Sequence, residues 1–236
     1  MTLFIKNSYR VTIAFLLLLP VSLAAQSKTS IIIQAKLDSL RIAGNFPGLS
    51  MAVIYPDNSS TALTSGFNDK EKNIALKPFD MFLQGSTGKT YVSAVAMQLI
   101  GENKLTLDAK VSEYLGKYEW FKRIPNSEDV TVRMIMNHSS GIMRYEFKEA
   151  FTRTLTTNPD KKWKPEELLS YVLDEKAPFK ASEGWDYSDT NYILLGMIIE
   201  GITKSPLNKV IRTSLLRPLK LRHTSPSDKR NLKGLA

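Results

Sequence analysis

The chain has 236 residues and is 43% hydrophobic, which is enough to bury one sizeable core. Its formal net charge is +9, but the basic residues are scattered. Without a basic patch or a recognisable module, nucleic acid is not an expected partner. The lack of cysteine excludes thiol nucleophiles and thiolate zinc sites, and the two histidines, His138 and His223, stand far apart in the sequence. We therefore expect no metal and no other cofactor.

The first 25 residues have the layout of a secretory signal peptide. Two basic residues precede an apolar run over 11–19, and small residues follow, with cleavage expected after Ala24 or Ala25. The apolar run is short for a membrane span, although an uncleaved N-terminal anchor is the alternative. We therefore predict a signal peptide over 1–25, a mature domain over 26–236 and a periplasmic or secreted location.

The next part of the chain predicts one helix and then a hairpin. Ile33, Leu37 and Leu40 stand at helical spacing before Gly44, which predicts a helix that ends near this glycine. Residues 47–67 contain two strand-like runs around a Pro-Asp-Asn turn, which predicts a β-hairpin. Because helices dominate after the hairpin, the pattern indicates the α+β class rather than alternating βαβ units.

The later chain is predicted to be mainly helical. The polar, proline-containing segment 147–164 is the exception, and we predict a loop or lid there. In the first of these helices Val92, Val95 and Leu99 share one face, and Gly101 fits the C-terminal cap. The others are a short helix over 108–115, one that Thr131 caps and that ends at Asn137, one with Pro165 at its first position, one over 189–204 and one over 206–219.

Ser86 stands three residues before Lys89, at the start of a predicted helix. A serine hydroxyl is a weak nucleophile unless a neighbouring base accepts its proton, and residues three apart on a helix share a face. First-turn N–H groups also stabilise a developing oxyanion. The spacing therefore suits acyl transfer, provided that the pKa of the lysine falls from about 10.4 toward neutrality. In the alternative, Ser86 is a helix cap and Lys89 is a solvated charge.

Four segments carry a wider pattern in one consistent order. They are "FPGLSMAVI", "FLQGSTGKTYVSAVAMQLIGENKLTLDAKVSEYL", "TVRMIMNHSSGI" with a His-x-Ser-Gly signature, and "ASEGWDYSDTNYILLGMIIE" with a motif similar to Tyr-x-Asn. Together they resemble the serine β-lactamase family, in particular its class C β-lactamase, D-Ala-D-Ala peptidase and esterase branch. The resemblance implies a β-lactamase/transpeptidase-like α+β fold, in which an antiparallel sheet packs against a helical lobe.

The resemblance also implies catalytic roles. Ser86 would be acylated by a carbonyl substrate, and its N–H would form half of an oxyanion hole. Lys89 would share the base role, and Tyr187 would relay the proton to the leaving group and help to activate the deacylating water. A phenol suits this relay because its ordinary pKa of about 10 is close to that of lysine. In the alternative, Tyr187 is a loop aromatic that packs beside Trp185.

Two further positions, Gln84 and Asp189, are assigned to substrate binding by the resemblance. Asp189 stands where the family usually has asparagine. A carboxylate only accepts hydrogen bonds unless it is protonated, and it would hold Lys89 in the charged form, against a base role. In the alternative, Asp189 is turned away and caps the following helix, with Asn191 nearby.

His138 raises the separate possibility of a Ser-His-Asp triad. Such serines often stand in a GxSxG elbow, but residues 84–88 read QGSTG, with glutamine where the first glycine is required. In the family that the chain resembles, this histidine lies in a structural loop, and we predict the same here.

The family's third motif is not found after Asp189, where neither Lys-Thr-Gly nor His-x-Gly follows on a strand-like segment. The resemblance therefore implies an N-terminal, truncated portion of the family domain, without the later strands of the sheet. Those strands would line the site and supply the second oxyanion donor, whose loss costs about two to three orders of magnitude in rate.

Two functions are expected from this pattern. The first is an exported serine hydrolase that acts on an amide or ester bond, in a β-lactam, a D-Ala-D-Ala peptide or a small ester, through an acyl-enzyme on Ser86. The alternative is a non-catalytic or truncated family member that binds cell-wall peptide without turnover. In both cases the partner is a small molecule or a cell-wall peptide.

Overall fold

The computed structural model of the protein describes residues 28–227. The chain divides into two compact units, with the boundary between Asp80 and Met81. The predicted signal peptide lies outside the described residues. Within 28–227, no helix combines the length and the apolar character that crossing a membrane requires.

The first unit contains a helix and a small antiparallel sheet. Helix α1 ends at Ala43, directly before Gly44, as the sequence predicts. The first two strands pair antiparallel from Gly48–Gly66 to Ile54–Ser60, which confirms the predicted hairpin. The third strand was not predicted, because a strand of two residues is too short to show an alternating pattern. The elements are α1 (Lys28–Ala43), β1 (Gly48–Ile54), β2 (Ser60–Asp69) and β3 (Ile74–Ala75).

Helix α1 is joined to strand β2 by both apolar and polar contacts. Leu37 is buried, whereas Leu40 is exposed, so only part of the predicted apolar face is covered. The Gln34 amide donates a hydrogen bond to the carbonyl of Thr64 at 3.1 Å. The pattern of apolar residues therefore predicts the helix correctly, but less of the predicted apolar face is buried than the pattern indicates.

The named elements of the second unit, within residues 81–227, are all helices. Helix α5 lies within the segment predicted to be a loop, so that prediction is wrong there. Four of its nine residues are threonine, which favours helix weakly, but its Phe151 ring packs on Trp163 at 5.2 Å and on Tyr171 at 5.6 Å. The helices are α2 (Gly88–Gly101), α3 (Val111–Leu115), α4 (Val132–Asn137), α5 (Glu149–Thr157), α6 (Pro165–Leu169), α7 (Asp189–Thr203) and α8 (Leu207–Val210), which continues into a π-helical segment, Ile211–Leu216.

Two helix ends of this unit differ in how well the sequence predicts them. Thr131 caps α4 as predicted, since its hydroxyl accepts the backbone N–H of Met134 at 3.4 Å. The helix then stops at His138, which takes a left-handed conformation with φ of 67°. The predicted cap at Gly101 is wrong, because this glycine is the last residue of α2, and Asn103 takes the left-handed conformation instead.

Helix α7 lies at the centre of the core of the second unit. It packs against α2, α3, α4, α6 and α8. Its side chains Leu194, Leu195, Ile198 and Ile199 are each at most 1% exposed. Burying such a side chain contributes about 1.5–3 kcal/mol. This packing fixes the first residue of α7, Asp189, beside the start of α2, where it pairs with a lysine.

Replacement of Leu194 by alanine tests the role of α7 as the core helix. Because Leu194 is 0% exposed, Leu194→Ala should lower the free energy of unfolding by about 2–5 kcal/mol. Leu155, which is 44% exposed on α5, is the matched control, and Leu155→Ala should cost less than about 1 kcal/mol. Urea unfolding followed by tryptophan fluorescence measures both, since Trp120, Trp163 and Trp185 all lie in this unit. Equal losses would contradict the assignment.

Candidate active site

Ser86 lies in a 3₁₀ turn, Gly85–Thr87, that runs directly into α2. Gly85 has φ of 52°, which favours glycine, although a Cβ there would meet no neighbour. The N-cap of α2 is Thr87, so the alternative in which Ser86 caps the helix is wrong. The side chain of Ser86 is exposed, and the turn therefore presents its hydroxyl to solvent.

Lys89 lies one turn further along, on the same face as Ser86. Its Nζ donates a hydrogen bond to Ser86 Oγ at 3.3 Å. The same Nζ forms an ion pair with the carboxylate of Asp189, and only 16% of the Lys89 side chain is exposed. The alternative in which Lys89 is a solvated charge is therefore wrong.

Asp189 faces the cluster rather than capping its own helix. One of its oxygens accepts from Lys89, and the other accepts from the Arg144 guanidinium at 3.1 Å. Ser188, not Asp189, is the N-cap of α7, so the capping alternative is also wrong. Arg144 in turn donates from Nε and Nη2 to one oxygen of Glu146, at 2.8 and 2.5 Å. Two cations and two carboxyl groups thus form one chain of contacts.

Tyr187 belongs to this cluster. The Lys89 Nζ lies 4.8 Å from the centroid of its ring, and the guanidinium carbon of Arg144 lies 5.1 Å from it. The phenolic oxygen is buried and makes no hydrogen bond within residues 28–227. The ring packs against His138 at 4.4 Å between centroids, and the Trp185 ring lies 6.3 Å from that histidine. The structure thus brings Tyr187 to Lys89, with its hydroxyl unpaired.

His138 holds the chain segment that carries Tyr187 and Asp189. Its Nδ1 accepts the backbone N–H of Ser188 at 3.2 Å and lies 3.3 Å from the amide nitrogen of Asn191. Burial lowers the pKa of His138, and the positive charge of Lys89 lowers it further, which favours the neutral ring. With Nδ1 as an acceptor, the ring proton is assigned to Nε2. These contacts are those of a structural histidine.

The loop after His138 is fixed by buried polar groups. The Ser140 hydroxyl donates to Asn191 Oδ1 at 2.7 Å and accepts the N–H of Ile142 at 3.1 Å. Gly141 has φ of 68°, and a Cβ there would lie 2.3 Å from the carbonyl oxygen of Phe179. Glycine is therefore required at this position of the His-x-Ser-Gly signature.

The charges of the cluster shift the pKa values of its members. Burial alone would lower the pKa of Lys89, but the Asp189 carboxylate and the adjacent Tyr187 outweigh it and raise that pKa above its ordinary value. Burial alone would raise the pKa of Asp189, but its hydrogen bonds and the charges of Lys89 and Arg144 hold it below its ordinary value. Burial raises the pKa of Glu146, and the adjacent Asp189 raises it further. In the resting site, Lys89 is an ammonium and Asp189 a carboxylate.

Gln84 stands apart from the charged cluster. Its side chain is exposed, and its carbonyl accepts the N–H of Thr87 at 3.1 Å, so its backbone shapes the turn that carries Ser86. A contact between the Gln84 side chain and a substrate stays a prediction.

Sequence reasoning missed three members of the site, namely Arg144, Glu146 and Tyr192. Tyr192 shares a 2.7 Å hydrogen bond with Ser93, and its ring lies 5.6 Å from the Lys89 Nζ. The sequence carries no signal for the arginine, because Lys89 alone can balance an aspartate at position 189 and the loop around Arg144 has no periodic pattern.

The chain is similar to known proteins over most of its length. The family model described as Beta-lactamase matches residues 33–230. The teichoic acid D-alanine hydrolase of Staphylococcus aureus is 29% identical over 198 residues, which are 84% of this chain and 45% of that protein.

Two solved structures share the fold. The D-stereospecific amidohydrolase from Streptomyces sp. is 28% identical with a TM-score of 0.69, over 80% of this chain and 54% of that one. The D-amino acid amidase from Ochrobactrum anthropi SV3 has a TM-score of 0.71 over 83% of this chain and 52% of that one, and its 24% identity supports the fold alone. The chain thus spans about half the length of these relatives.

Replacement of Ser140 tests the buried polar support of the site. Ser140→Ala leaves Asn191 Oδ1 without its donor, so the free energy of unfolding should fall by about 1–3 kcal/mol. The adjacent Ser139 is the control, because its hydroxyl donates to the exposed Asn137 side chain, and Ser139→Ala should cost less than about 1 kcal/mol. Urea titration measures both losses. A Ser140→Ala variant as stable as the wild type would show that this network does not support the site.

Proposed function

Because the chain belongs to the beta-lactamase family, we propose that it is a serine hydrolase that cleaves amide or ester bonds through an acyl-enzyme on Ser86. The observation that carries the proposal is the 3.3 Å contact between Lys89 Nζ and the exposed Ser86 hydroxyl. Tyr187, whose hydroxyl is buried without a hydrogen bond inside residues 28–227, lies against the same lysine.

Acylation begins when Lys89 loses its proton to solvent. The neutral amine then accepts the proton of Ser86 Oγ as that oxygen attacks the substrate carbonyl. The backbone N–H of Ser86 donates to the oxyanion that develops on the carbonyl oxygen. The proton passes from Lys89 through Tyr187 to the leaving group, the carbonyl–leaving group bond breaks, and the acyl group stays on Ser86.

Deacylation reverses these proton transfers with water as the nucleophile. Tyr187 and Lys89 accept a proton from the water as it attacks the acyl carbonyl, and Ser86 leaves with a proton returned by the lysine. The unpaired phenol suits this step, since its oxygen has no competing partner among the described residues. The product acid departs, and Lys89 takes up a proton from solvent, which restores the starting charge of the site.

The Lys89–Asp189 ion pair favours a second candidate function. An ammonium cannot accept the serine proton, and the carboxylate of Asp189 stabilises that ammonium. A family member that binds a cell-wall peptide without turning it over would retain this pairing. The two functions differ in whether Ser86 becomes covalently modified.

We infer that the substrate carries a D-configured residue. A teichoic acid D-alanine hydrolase and a D-stereospecific amidohydrolase are both more than a quarter identical to this chain, and both names specify D stereochemistry. A D-alanyl ester or amide of the cell envelope therefore fits better than a β-lactam. Such a substrate places the protein outside the cytoplasm, where the predicted signal peptide of residues 1–25 would deliver it.

Covalent labelling tests the proposed nucleophile. A fluorophosphonate probe should label the wild-type protein, and Ser86→Ala should abolish the label because the attacking oxygen is gone. Ser112→Ala, which removes a hydroxyl from helix α3, should be labelled like the wild type. Gel fluorescence and peptide mapping give the result. An unlabelled wild type that still binds a D-alanyl-D-alanine peptide would favour the non-catalytic candidate.

Stereochemistry tests the proposed substrate class. The protein should hydrolyse the p-nitroanilide of D-alanine at least about tenfold faster, in kcat/KM, than that of L-alanine, since a shaped pocket discriminates the two by about 1–3 kcal/mol. Release of p-nitroaniline is followed by absorbance, with Ser86→Ala as the blank. Equal rates for the two enantiomers would overturn the assignment of a D-configured substrate.

A further inference from the structure

We propose that Arg144 is a positioning residue that prepares Lys89 for its role as a base by taking up part of the Asp189 charge. The inference rests on the proposed function, in which Lys89 must give up a proton before Ser86 reacts. It concerns a residue that does not touch the serine and that acts through the carboxylate at the start of α7.

The contacts divide the Asp189 carboxylate between two cations. One oxygen accepts from Lys89, and the other accepts from Arg144 Nη2 at 3.1 Å. Only 23% of the Asp189 side chain and 27% of the Arg144 side chain are exposed, so solvent screens this pair only in part. Each oxygen of the carboxylate is thus bonded to a different cation. Each cation therefore weakens the attraction between the carboxylate and the other cation.

Arg144 is itself held in place from two sides. Its Nε and Nη2 both donate to one oxygen of Glu146, and its guanidinium carbon lies 4.2 Å from the centroid of the Phe147 ring. Burial and the adjacent Asp189 raise the pKa of Glu146. The contacts with Glu146 and Phe147 orient the guanidinium so that its Nη2 also reaches the second oxygen of Asp189.

The need for this arginine follows from the residue at position 189. An asparagine would donate to its neighbours and add no charge, whereas an aspartate pairs with Lys89 and stabilises its ammonium. A second cation on the same carboxylate opposes that effect in two ways. It competes for the carboxylate, and its own positive charge repels the ammonium of Lys89.

Other titratable groups around Lys89 do not replace Arg144 in this role. Because burial lowers the pKa of His138, that ring adds no positive charge at neutral pH. Within residues 28–227, Arg144 is thus the cation that shares the carboxylate with Lys89. The other groups that interact with Lys89 are Ser86, Tyr145, Tyr187 and Tyr192. Asp186 acts on His138, and Glu146 acts on Asp189 and Arg144.

The test measures the titration of Lys89 directly, so that it does not depend on turnover. Trace acetic anhydride reacts with neutral amines only, and peptide mass spectrometry gives the extent of acetylation of each lysine at each pH. Arg144→Gln should move the midpoint of Lys89 labelling upward by about one pH unit, because Asp189 is then left to Lys89 alone. Arg144→Lys keeps the charge and should stay near the wild-type midpoint.

Two further comparisons separate this role from a merely structural one. Arg133→Gln, which removes an arginine that pairs with Asp108 at 2.7 and 2.8 Å, should leave the Lys89 midpoint unchanged. Asp189→Asn should lower the Lys89 midpoint. In the Asp189→Asn background, Arg144→Gln should shift that midpoint by less than half of the shift that it causes in the wild-type background. Circular dichroism over the same pH range shows that each variant is folded.

The outcomes distinguish this inference from the proposed function. A Lys89 midpoint that is the same in wild type and Arg144→Gln overturns the inference. The inference is also overturned if Arg144→Gln shifts the midpoint equally in the wild-type and Asp189→Asn backgrounds. A midpoint that responds as expected, in a protein whose Ser86 takes no fluorophosphonate, supports the role of Arg144 in setting the lysine and overturns the proposed hydrolase instead.

Discussion

The ion pair between Lys89 and Asp189 is the interaction on which the rest of the site depends. It joins the first turn of α2 to the first residue of α7, which are 100 positions apart in the chain. Helix α7 is held by the buried core, so the pair fixes Lys89 against a rigid element and, through it, the 3.3 Å contact with Ser86. The precision of the site comes from helix packing rather than from the exposed turn that carries the serine.

The same ion pair also opposes the proposed chemistry of the site. A carboxylate beside a lysine keeps its proton in place, whereas the proposed reaction requires the neutral amine. In its proposed role, Arg144 on the second oxygen of Asp189 offsets part of this effect. Substrate binding in the same cluster would further alter the pKa of Lys89. Both cations that contact the Asp189 carboxylate also contact a reacting group, since Lys89 bonds Ser86 and Arg144 lies at the Tyr187 ring.

The sequence predicts the elements well and the charge network only in part. The helices at 88–101 and 189–203 follow from long apolar periodicity, and the predicted family and α+β fold are confirmed by the family match and by the solved relatives. Helix α5 was not predicted, because its threonines are weak helix formers and its aromatic contacts are with residues outside the helix. Arg144 was not predicted, because the loop that brings it to Asp189 has no periodic pattern.

Observation of the Lys89 side chain by nuclear magnetic resonance tests the central claim most directly. In protein labelled with ¹⁵N and ¹³C, an ammonium held by a carboxylate exchanges its protons slowly, and its nitrogen couples to the carboxyl carbon across the hydrogen bond. We expect a Lys89 ammonium signal at neutral pH that correlates with the side-chain carboxyl carbon of Asp189 and disappears in Asp189→Asn. A Lys89 nitrogen with the shift of a neutral amine, or without that correlation, would contradict the arrangement.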